Sequence, residues 1–201
     1  MSDNKTKIID AAENMIRSGG YNGFSFRDIA AEIGIKSSSV HYYYPKKEDL
    51  ALEVAVRYKE NFIAALGDPE PEGSTPESII KHYSNLFQTA FDTSGRTCLC
   101  GMLSSEVQLL PEKVRKAVID FVDANVMWLQ EALGLDEKGV SLPRSKEAAQ
   151  WIYCSLQGAM SAAALTNDRT WIEAATRSAL QRFFEIVEVE KNKVAHNSTN
   201  R

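Results

Sequence analysis

The chain has 201 residues and a net charge of −4, with 44% of its residues hydrophobic and 25% charged. These proportions are those of an ordinary globular protein and exclude one coated in basic surface. Three cysteines are too few, and odd in number, for a disulfide scaffold. No run approaches the roughly 18 apolar residues of a membrane span, and no apolar signal segment follows the N-terminus. We therefore expect a cytoplasmic protein that contacts no membrane.

Two helices are predicted before residue 35. Apolar residues recur at helical spacing over residues 5–18, and a glycine pair ends this first helix. Ser25 can cap a second helix, with Asp28 three residues later as the acidic half of a capping box. Gly34 falls where that helix must end, because glycine accepts the positive φ of a helix C-terminus.

A third short helix is predicted to begin among Ser37 to Ser39 and to end before Pro45. Its two faces differ, because at about 100° per residue Val40 and Tyr44 point one way. The opposite face carries hydroxyls, an imidazole and a phenol, from Ser38, Ser39, His41 and Tyr42. Such a face suits the edges of base pairs in a major groove of DNA.

The rest of the chain is also predicted to be helical, because strand alternation is absent. A long amphipathic helix follows over residues 47–66, and the Pro- and Gly-rich stretch 67–76 interrupts the pattern. Thr75 and Pro76 are suited to the cap and first position of the next helix. Further helices are predicted over residues 76–91, 99–108, 112–133, 145–165 and 170–189, with a loop over 134–144.

The residues around the third helix resemble the DNA-binding signature of TetR-family transcriptional regulators. The matching pattern is Ile29-Ala30-x3-Gly34-Ile35-x4-Val40-His41-x-Tyr43-Tyr44-x2-Lys47-Glu48-x-Leu50, within a resemblance that spans roughly residues 5–50. His41 stands where the family usually has tyrosine. The resemblance implies an all-α protein: a three-helix helix-turn-helix head, residues 1–46, fused through a long helix to a helical ligand-binding and dimerisation body, residues 47–190. We expect residues 191–201 to form a disordered polar tail.

Position and resemblance together assign roles in DNA binding. Base or near-base contacts are expected from Arg27, Ser38, Ser39 and Tyr42, and the family reaches a base from the position of Arg27. Backbone positioning is expected from Lys36, Ser37, His41 and Tyr43. Lys46 and Lys47 are expected at phosphates, Lys47 with help from the amides that open the long helix. The alternative for these two lysines is an ordinary solvated surface.

Homodimerisation is expected through the last two helices. The penultimate helix is rich in small residues around Gly158, which allow another helix to approach closely. The resemblance implies a four-helix dimer interface, and two copies of the head would pair half-sites of a palindromic operator about 34–36 Å apart. The alternative is that both helices only pack within their own chain.

The resemblance further implies a small-molecule inducer of unknown identity bound in the body. Aromatic side chains with a few polar anchors are typical of a ligand pocket. The candidates are Tyr83, Phe87, Met102, Glu106, Phe121, Asn125, Trp128, Trp151 and Gln157. The alternative for each aromatic residue is ordinary core packing. No other cofactor is expected.

Cys98 and Cys100 lie at a predicted helix start, where the helix dipole favours a thiolate and Arg96 could add to the effect. They are therefore candidates for a thiol sensor of electrophiles or oxidants. The alternative is that both are small apolar fillers. A metal site is not expected, because none of the three histidines is suitably spaced. No catalytic constellation is found in the sequence, so we do not expect an enzyme. As the resemblance implies, we expect a repressor that is released from its operator by a small-molecule inducer, or alternatively by reaction of Cys98 and Cys100.

Overall fold

The structure, a computed structural model, describes residues 2–69, 73–134 and 142–199. Within these ranges it is helical and contains no strand, which confirms the predicted all-α class. The helices are α1 (Ser2–Gly19), α2 (Phe26–Ile33), α3 (Ser37–Tyr43), α4 (Lys47–Leu66), α5 (Pro76–Ser94), α6 (Leu99–Ser105), α7 (Glu112–Ala132), α8 (Leu142–Thr166) and α9 (Thr170–Thr199), with a 3-10 helix (Tyr21–Gly23) between α1 and α2. None of the helices described is long and apolar enough to cross a membrane.

Helix α2 begins and ends where local signals predict. The Ser25 hydroxyl accepts from the Asp28 N–H at 3.3 Å, and the Asp28 carboxylate accepts from the Ser25 N–H at 3.0 Å, which confirms the capping box. The hydrogen bond from the Ser25 hydroxyl lowers the pKa of Asp28. At the other end Gly34 has φ 72° and ψ 34°, a left-handed conformation that strains residues with a Cβ.

The chain divides into two compact units, and the division does not follow the predicted boundary between residues 46 and 47. Unit 1 comprises Met1–Phe62 and Arg96–Val122, and unit 2 comprises Ile63–Gly95 and Asp123–Arg201. Helices α4 and α7 therefore each contribute residues to both units.

Unit 1 contains most of α4 because that helix packs against α1 and the first half of α7. On α4, Arg57 pairs with Asp10 at 2.6 Å and with Glu13 at 2.8 Å, and both carboxylates lie on α1. The ring of Phe62 meets that of Phe121 with centroids 5.4 Å apart. Four apolar residues in the first half of α4 are fully buried: Leu50, Ala51, Val54 and Ala55.

Unit 2 is built from α5, α8 and α9, which pack together, and from the end of α7. The buried Tyr83 hydroxyl donates to Asn125 Oδ1 at 2.7 Å, and the Tyr83 ring stacks on Trp128 with centroids 5.9 Å apart. The Trp128 indole N–H donates to the Gly67 carbonyl at 3.0 Å. Within the described chain, the buried polar side chains are uncharged and lie in this unit: Ser84, Asn125 and Ser145.

Helices α8 and α9 each bury one face inside the chain and expose another. One row of α9 packs within its own chain, because Ile172, Ala179, Phe183 and Ile186 are buried. Trp171 and Phe184 on the same helix are about half exposed, at 49% and 51%. On α8, Leu165 is 87% exposed, and a Cβ added at Gly158 would meet no atom within 4 Å.

Several predicted helix bounds change in the structure. Helices α1 and α8 each begin three residues earlier than predicted, at Ser2 and Leu142. Helix α5 starts at the expected Thr75 cap but continues to Ser94, because Gly95 with φ 61° ends it. Helix α6 is shorter than expected and ends at Ser105. Helix α9 runs to Thr199, past the predicted end at residue 189 and into the stretch expected to form a tail. Polar composition predicts exposure, but this segment contains no Gly or Pro to break a helix.

Two predictions fall partly outside the described residues. They are the end of the tail, residues 200–201, and the loop over residues 134–144, of which residues 135–141 are not described.

Candidate nucleic-acid interface

Helix α3 is fixed to the rest of unit 1 along one side. Val40 is fully buried, and Tyr44, the residue after the helix, is 3% exposed. The Tyr44 hydroxyl donates to Glu53 on α4 at 2.8 Å. Burial, together with this bond, raises the pKa of Tyr44, which therefore stays neutral at physiological pH. The side of α3 opposite these contacts is left free for a partner.

The exposed side of α3 carries the residues that its periodicity predicts. Ser38, His41 and Tyr42 are exposed, whereas Ser37, Ser39 and Tyr43 are half-buried. Tyr42 is 74% exposed, and its ring touches that of Tyr43 edge-on, with centroids 5.4 Å apart. A large aromatic residue this exposed on a seven-residue helix contributes little to the core.

His41 has a packing role that the sequence does not reveal. Its ring meets the buried Phe26 ring of α2 edge-on, with centroids 4.7 Å apart. The imidazole therefore spans the two helices of the helix-turn-helix while remaining exposed on its outer edge.

The predicted cations differ in how freely they are presented. Arg27, Lys36 and Lys46 are exposed, and the Lys46 ammonium is 3.9 Å from Glu48, a weak surface pair. The Lys47 ammonium instead lies over two rings, 4.4 Å from the Phe24 centroid and 4.9 Å from the Tyr21 centroid.

Burial lowers the pKa of Lys47, and the nearby charges of Glu106 and Asp28 oppose that shift.

Two acidic residues in the first turn of α4 would repel a phosphate if they were unpaired. Lys113 of α7 pairs with both: its ammonium is 2.9 Å from Glu48 and bonds closely to Asp49. The bond from Lys113 lowers the pKa of Asp49 and raises that of Lys113. Sequence reasoning missed this role of Lys113, since no local pattern links residues 64 positions apart.

The predicted ligand residues are divided between the two units. Met102, Glu106 and Phe121 lie in unit 1, and the other six lie in unit 2: Tyr83, Phe87, Asn125, Trp128, Trp151 and Gln157. Tyr83, Phe87, Asn125 and Trp128 are buried, Gln157 is half-buried, and Trp151 is 37% exposed.

The ligand prediction for Glu106 is not supported, because its carboxylate is already engaged in unit 1. Glu106 Oε2 accepts from the Tyr21 backbone N–H at 2.5 Å. In the sequence these two residues are 85 positions apart, so no local pattern indicates the contact.

Unit 2 contains a cavity of about 340 Å³ beside Trp128. Leu66 and Ile79 line it with apolar atoms, and His82 adds an imidazole whose Nε2 is 3.1 Å from the Leu66 carbonyl oxygen. Of the predicted ligand residues, Trp128 is among its described lining residues and the others are not. Both Trp128 and His82 hydrogen-bond to the carbonyls that end α4, at residues 66 and 67.

Cys98 and Cys100 are placed at a helix start, as predicted, but both are buried. Cys98 caps α6, and its Sγ accepts from the Gly101 N–H at 3.1 Å. Burial raises the pKa of the Cys100 thiol, which opposes the reactivity expected from the helix dipole. Cys154, on α8, is exposed. No cluster of three or more His, Cys, Asp or Glu suited to a metal occurs among the described residues.

Comparison with known proteins supports the same N-terminal site. Residues 8–54 match the family model of bacterial regulatory proteins of the tetR family. The chain is 27% identical over 161 residues to the HTH-type transcriptional regulator LmrA of Bacillus subtilis, covering 78% of this chain and 84% of that one. It is 30% identical over 115 residues to the biofilm operon icaADBC HTH-type negative transcriptional regulator IcaR of Staphylococcus epidermidis, covering 55% of this chain and 59% of that one.

A solved structure is similar along almost its whole length. The fold superposes on the crystal structure of a TetR transcriptional regulator from Legionella pneumophila with a TM-score of 0.82 and 30% identity. The match covers 89% of this chain and 96% of that one. The chain therefore belongs to the TetR family of transcriptional regulators, which bind DNA through a helix-turn-helix and are not enzymes.

Proposed function

We propose that the protein is a homodimeric repressor that reads a palindromic operator with α3 of each subunit and leaves it when a small molecule binds. The observation that carries the DNA-reading part is the division of α3 into a buried side, Val40 and Tyr44, and an exposed side that includes Tyr42. The word negative in the name of the similar IcaR supports repression. Selection of bound duplexes from a random-sequence pool tests the DNA-reading part.

The contacts to DNA follow from exposure and chemistry. Ser38 and Tyr42, and Arg27 at the start of α2, are exposed and carry hydrogen-bonding groups for base edges. Ser39 is half-buried beside them. The remaining polar residues position the DNA backbone: Lys36, Ser37, His41, Tyr43, Lys46 and Lys47.

Replacing Lys46 or Lys47 by alanine should lower the slope of log affinity against log salt concentration by about one in each case, because each replacement removes one phosphate contact. Lys47→Ala should also lower the unfolding midpoint, because its ammonium lies over the rings of Tyr21 and Phe24. Lys46→Ala should leave the midpoint unchanged. Operator titrations at several salt concentrations and thermal unfolding measure both effects. An unchanged slope would remove that lysine from the phosphate contacts.

The dimer is supported by exposed apolar surface on the last two helices. Four large apolar side chains remain partly or largely exposed among the described residues: Trp151 and Leu165 on α8, and Trp171 and Phe184 on α9. Gly158 lies among these residues and has open space where a side chain would be. A second copy of the same surface would cover these side chains with a two-fold axis, as an isologous interface requires.

We place the ligand in unit 2. Its cavity of about 340 Å³ is within the range of small-molecule sites, and Trp128 and Ile79 give it apolar walls. The described lining also includes polar and ionisable side chains, which favours a ligand that combines apolar surface with hydrogen-bonding groups: Asp68, Ser74, Ser78 and His82. The Ser84 hydroxyl is buried without a hydrogen-bond partner in the described structure and could serve such a ligand after local rearrangement.

Release of DNA requires that the ligand prefer the free conformation. A nearly complete switch needs about 10⁴-fold difference in affinity, or roughly 5.5 kcal/mol. Aromatic compounds that raise the unfolding midpoint of the free protein should be titrated against free and operator-bound protein. The proposal predicts weaker binding to the complex. Equal affinity for both forms would contradict ligand-driven release.

Reaction of Cys98 and Cys100 is the second candidate switch, supported by their position at the start of α6. Their burial weighs against it. In the folded protein we expect Cys154 to react with a mild alkylating agent much faster than Cys98 or Cys100, because Cys154 is exposed. Mass spectrometry of timed samples, with unfolded protein and Cys154→Ser as controls, measures each rate. Rapid modification of Cys98 or Cys100 with loss of operator binding would favour the thiol switch.

A further inference from the structure

The corner between α1 and α2 is built around Gly20. This residue has φ 73° and ψ −170°, a region that is essentially restricted to glycine. A Cβ added there would lie 2.5 Å from the carboxylate carbon of Glu106 and closer still to both of its oxygens. Gly20 is therefore required by its backbone angles, and its lack of a side chain lets the carboxylate of Glu106, the residue at the end of α6, approach closely.

The Glu106 carboxylate makes a specific contact at this corner. Its Oε2 accepts from the Tyr21 backbone N–H at 2.5 Å, in a partly buried position. Hydrogen bonds to a charged acceptor are stronger than neutral ones, and a donor left unsatisfied in such a site is costly. The bond therefore fixes the start of the connection that leads into α2.

The same carboxylate also acts on Lys47. The negative charge of Glu106 stabilises the Lys47 ammonium, which lies over the rings of Tyr21 and Phe24. Tyr21 and Phe24 are themselves in edge contact, with centroids 6.4 Å apart. Glu106 thus completes a small cluster of one anion, one cation and two aromatic rings.

The cluster joins residues on both sides of the helix-turn-helix. Residues 20–24 lead into α2, whereas Lys47 is the first residue of α4 and follows α3. Glu106, at the end of α6, therefore bonds to Tyr21 at the entry to the helix-turn-helix. Its negative charge also acts on Lys47 at the exit, where it opposes the lowering of the ammonium's pKa by burial.

We propose that Glu106 is a positioning residue for DNA recognition: by holding the Tyr21 backbone N–H at the entry to α2 it sets the orientation in which α2 and α3 meet the operator. It does not contact DNA itself. Its loss should leave the exposed cations of the head in place, so non-specific binding to phosphates persists. Specific reading should weaken, because base contacts depend on sub-ångström placement of α3.

The test uses the full-length dimer and two duplexes of equal length: the sequence enriched from a random pool and a scrambled version. Glu106→Ala should lower affinity for the enriched duplex about tenfold and leave affinity for the scrambled one unchanged. Glu106→Gln retains the reach needed to accept from Tyr21 N–H, so it should lose less. Glu106→Asp keeps the charge but is one methylene shorter, so it should resemble Glu106→Ala.

Glu112→Ala is the matched control, since this exposed glutamate pairs with Arg115 on its own helix and should alter neither affinity. All affinities are measured well below the lowest unfolding midpoint, so that every variant is fully folded. The proposal is overturned if Glu106→Ala keeps the specific-to-non-specific ratio of the parent protein. It is also overturned if both affinities fall together, as simple destabilisation would cause, or if Glu106→Asp retains more specificity than Glu106→Gln.

Discussion

Tyr42→Ala should weaken binding to the enriched operator about tenfold or more and leave the unfolding midpoint unchanged. The side chain is 74% exposed on α3, so its removal costs little core packing. On the operator the phenol would lie against base edges, where one good contact discriminates by about 1–3 kcal/mol. Fluorescence anisotropy with the operator and a scrambled duplex, together with thermal unfolding, measures both properties.

Tyr44→Phe is the matched control, because this tyrosine is buried and bonds Glu53. Its loss of one hydroxyl should lower the free energy of unfolding by about 1 kcal/mol and leave the specificity ratio intact. Tyr42→Ala would then change operator affinity without changing stability, and Tyr44→Phe would change stability without changing specificity. Equal operator affinity for Tyr42→Ala and the parent protein would remove Tyr42 from the reading surface.

Gly158→Arg should convert the dimer to monomers and lower operator affinity about a hundredfold or more. Open space surrounds Gly158 within the chain, so the arginine has no intramolecular clash, and replacing glycine within a helix favours the helix. In the proposed interface the same side chain would place two charges between close-packed helices. Sedimentation velocity and operator titration measure the two effects.

Asn85→Arg supplies a comparison, since Asn85 is exposed on α5 in the same unit. It should change neither assembly nor affinity. If Gly158→Arg assembles and binds the operator like the parent protein, α8 does not form the dimer interface at this position. Thermal unfolding of both variants confirms that assembly is compared between folded proteins.

Net charge alone does not describe the DNA-binding surface. The chain has a formal charge of −4, yet several acids of unit 1 are paired with cations of the same unit. Arg57 holds Asp10 and Glu13, and Lys113 holds Glu48 and Asp49. This pairing leaves exposed cations such as Lys36 and Lys46 available for the proposed phosphate contacts, without a basic surface over the whole molecule.

Features specified by neighbouring residues were predictable from the sequence. The Ser25–Asp28 capping box and the left-handed Gly34 depend on residues a few positions apart. The exposure of Ser38 and Tyr42 likewise follows from helical periodicity. These local rules predict the helix-turn-helix and the residues that it presents.

Features that depend on distant pairs were not predictable in the same way. Glu106 is a residue type that could anchor a ligand in a pocket, yet its carboxylate accepts a hydrogen bond from Tyr21, which is far away in sequence. Lys113 meets Asp49 across 64 positions. Aromatic residues at helical spacing also predict burial without distinguishing a pocket from a packed core. Tyr83 and Phe87 are buried against each other, whereas Trp128 lines the cavity.

Selection of bound duplexes from a random-sequence pool by the purified full-length protein tests most directly whether two copies of α3 read DNA. We predict an enriched inverted repeat whose half-site centres lie about one helical turn, 10–10.5 base pairs, or a multiple of it apart. Enrichment of no sequence, or of a single motif without two-fold symmetry, would contradict paired reading by α3.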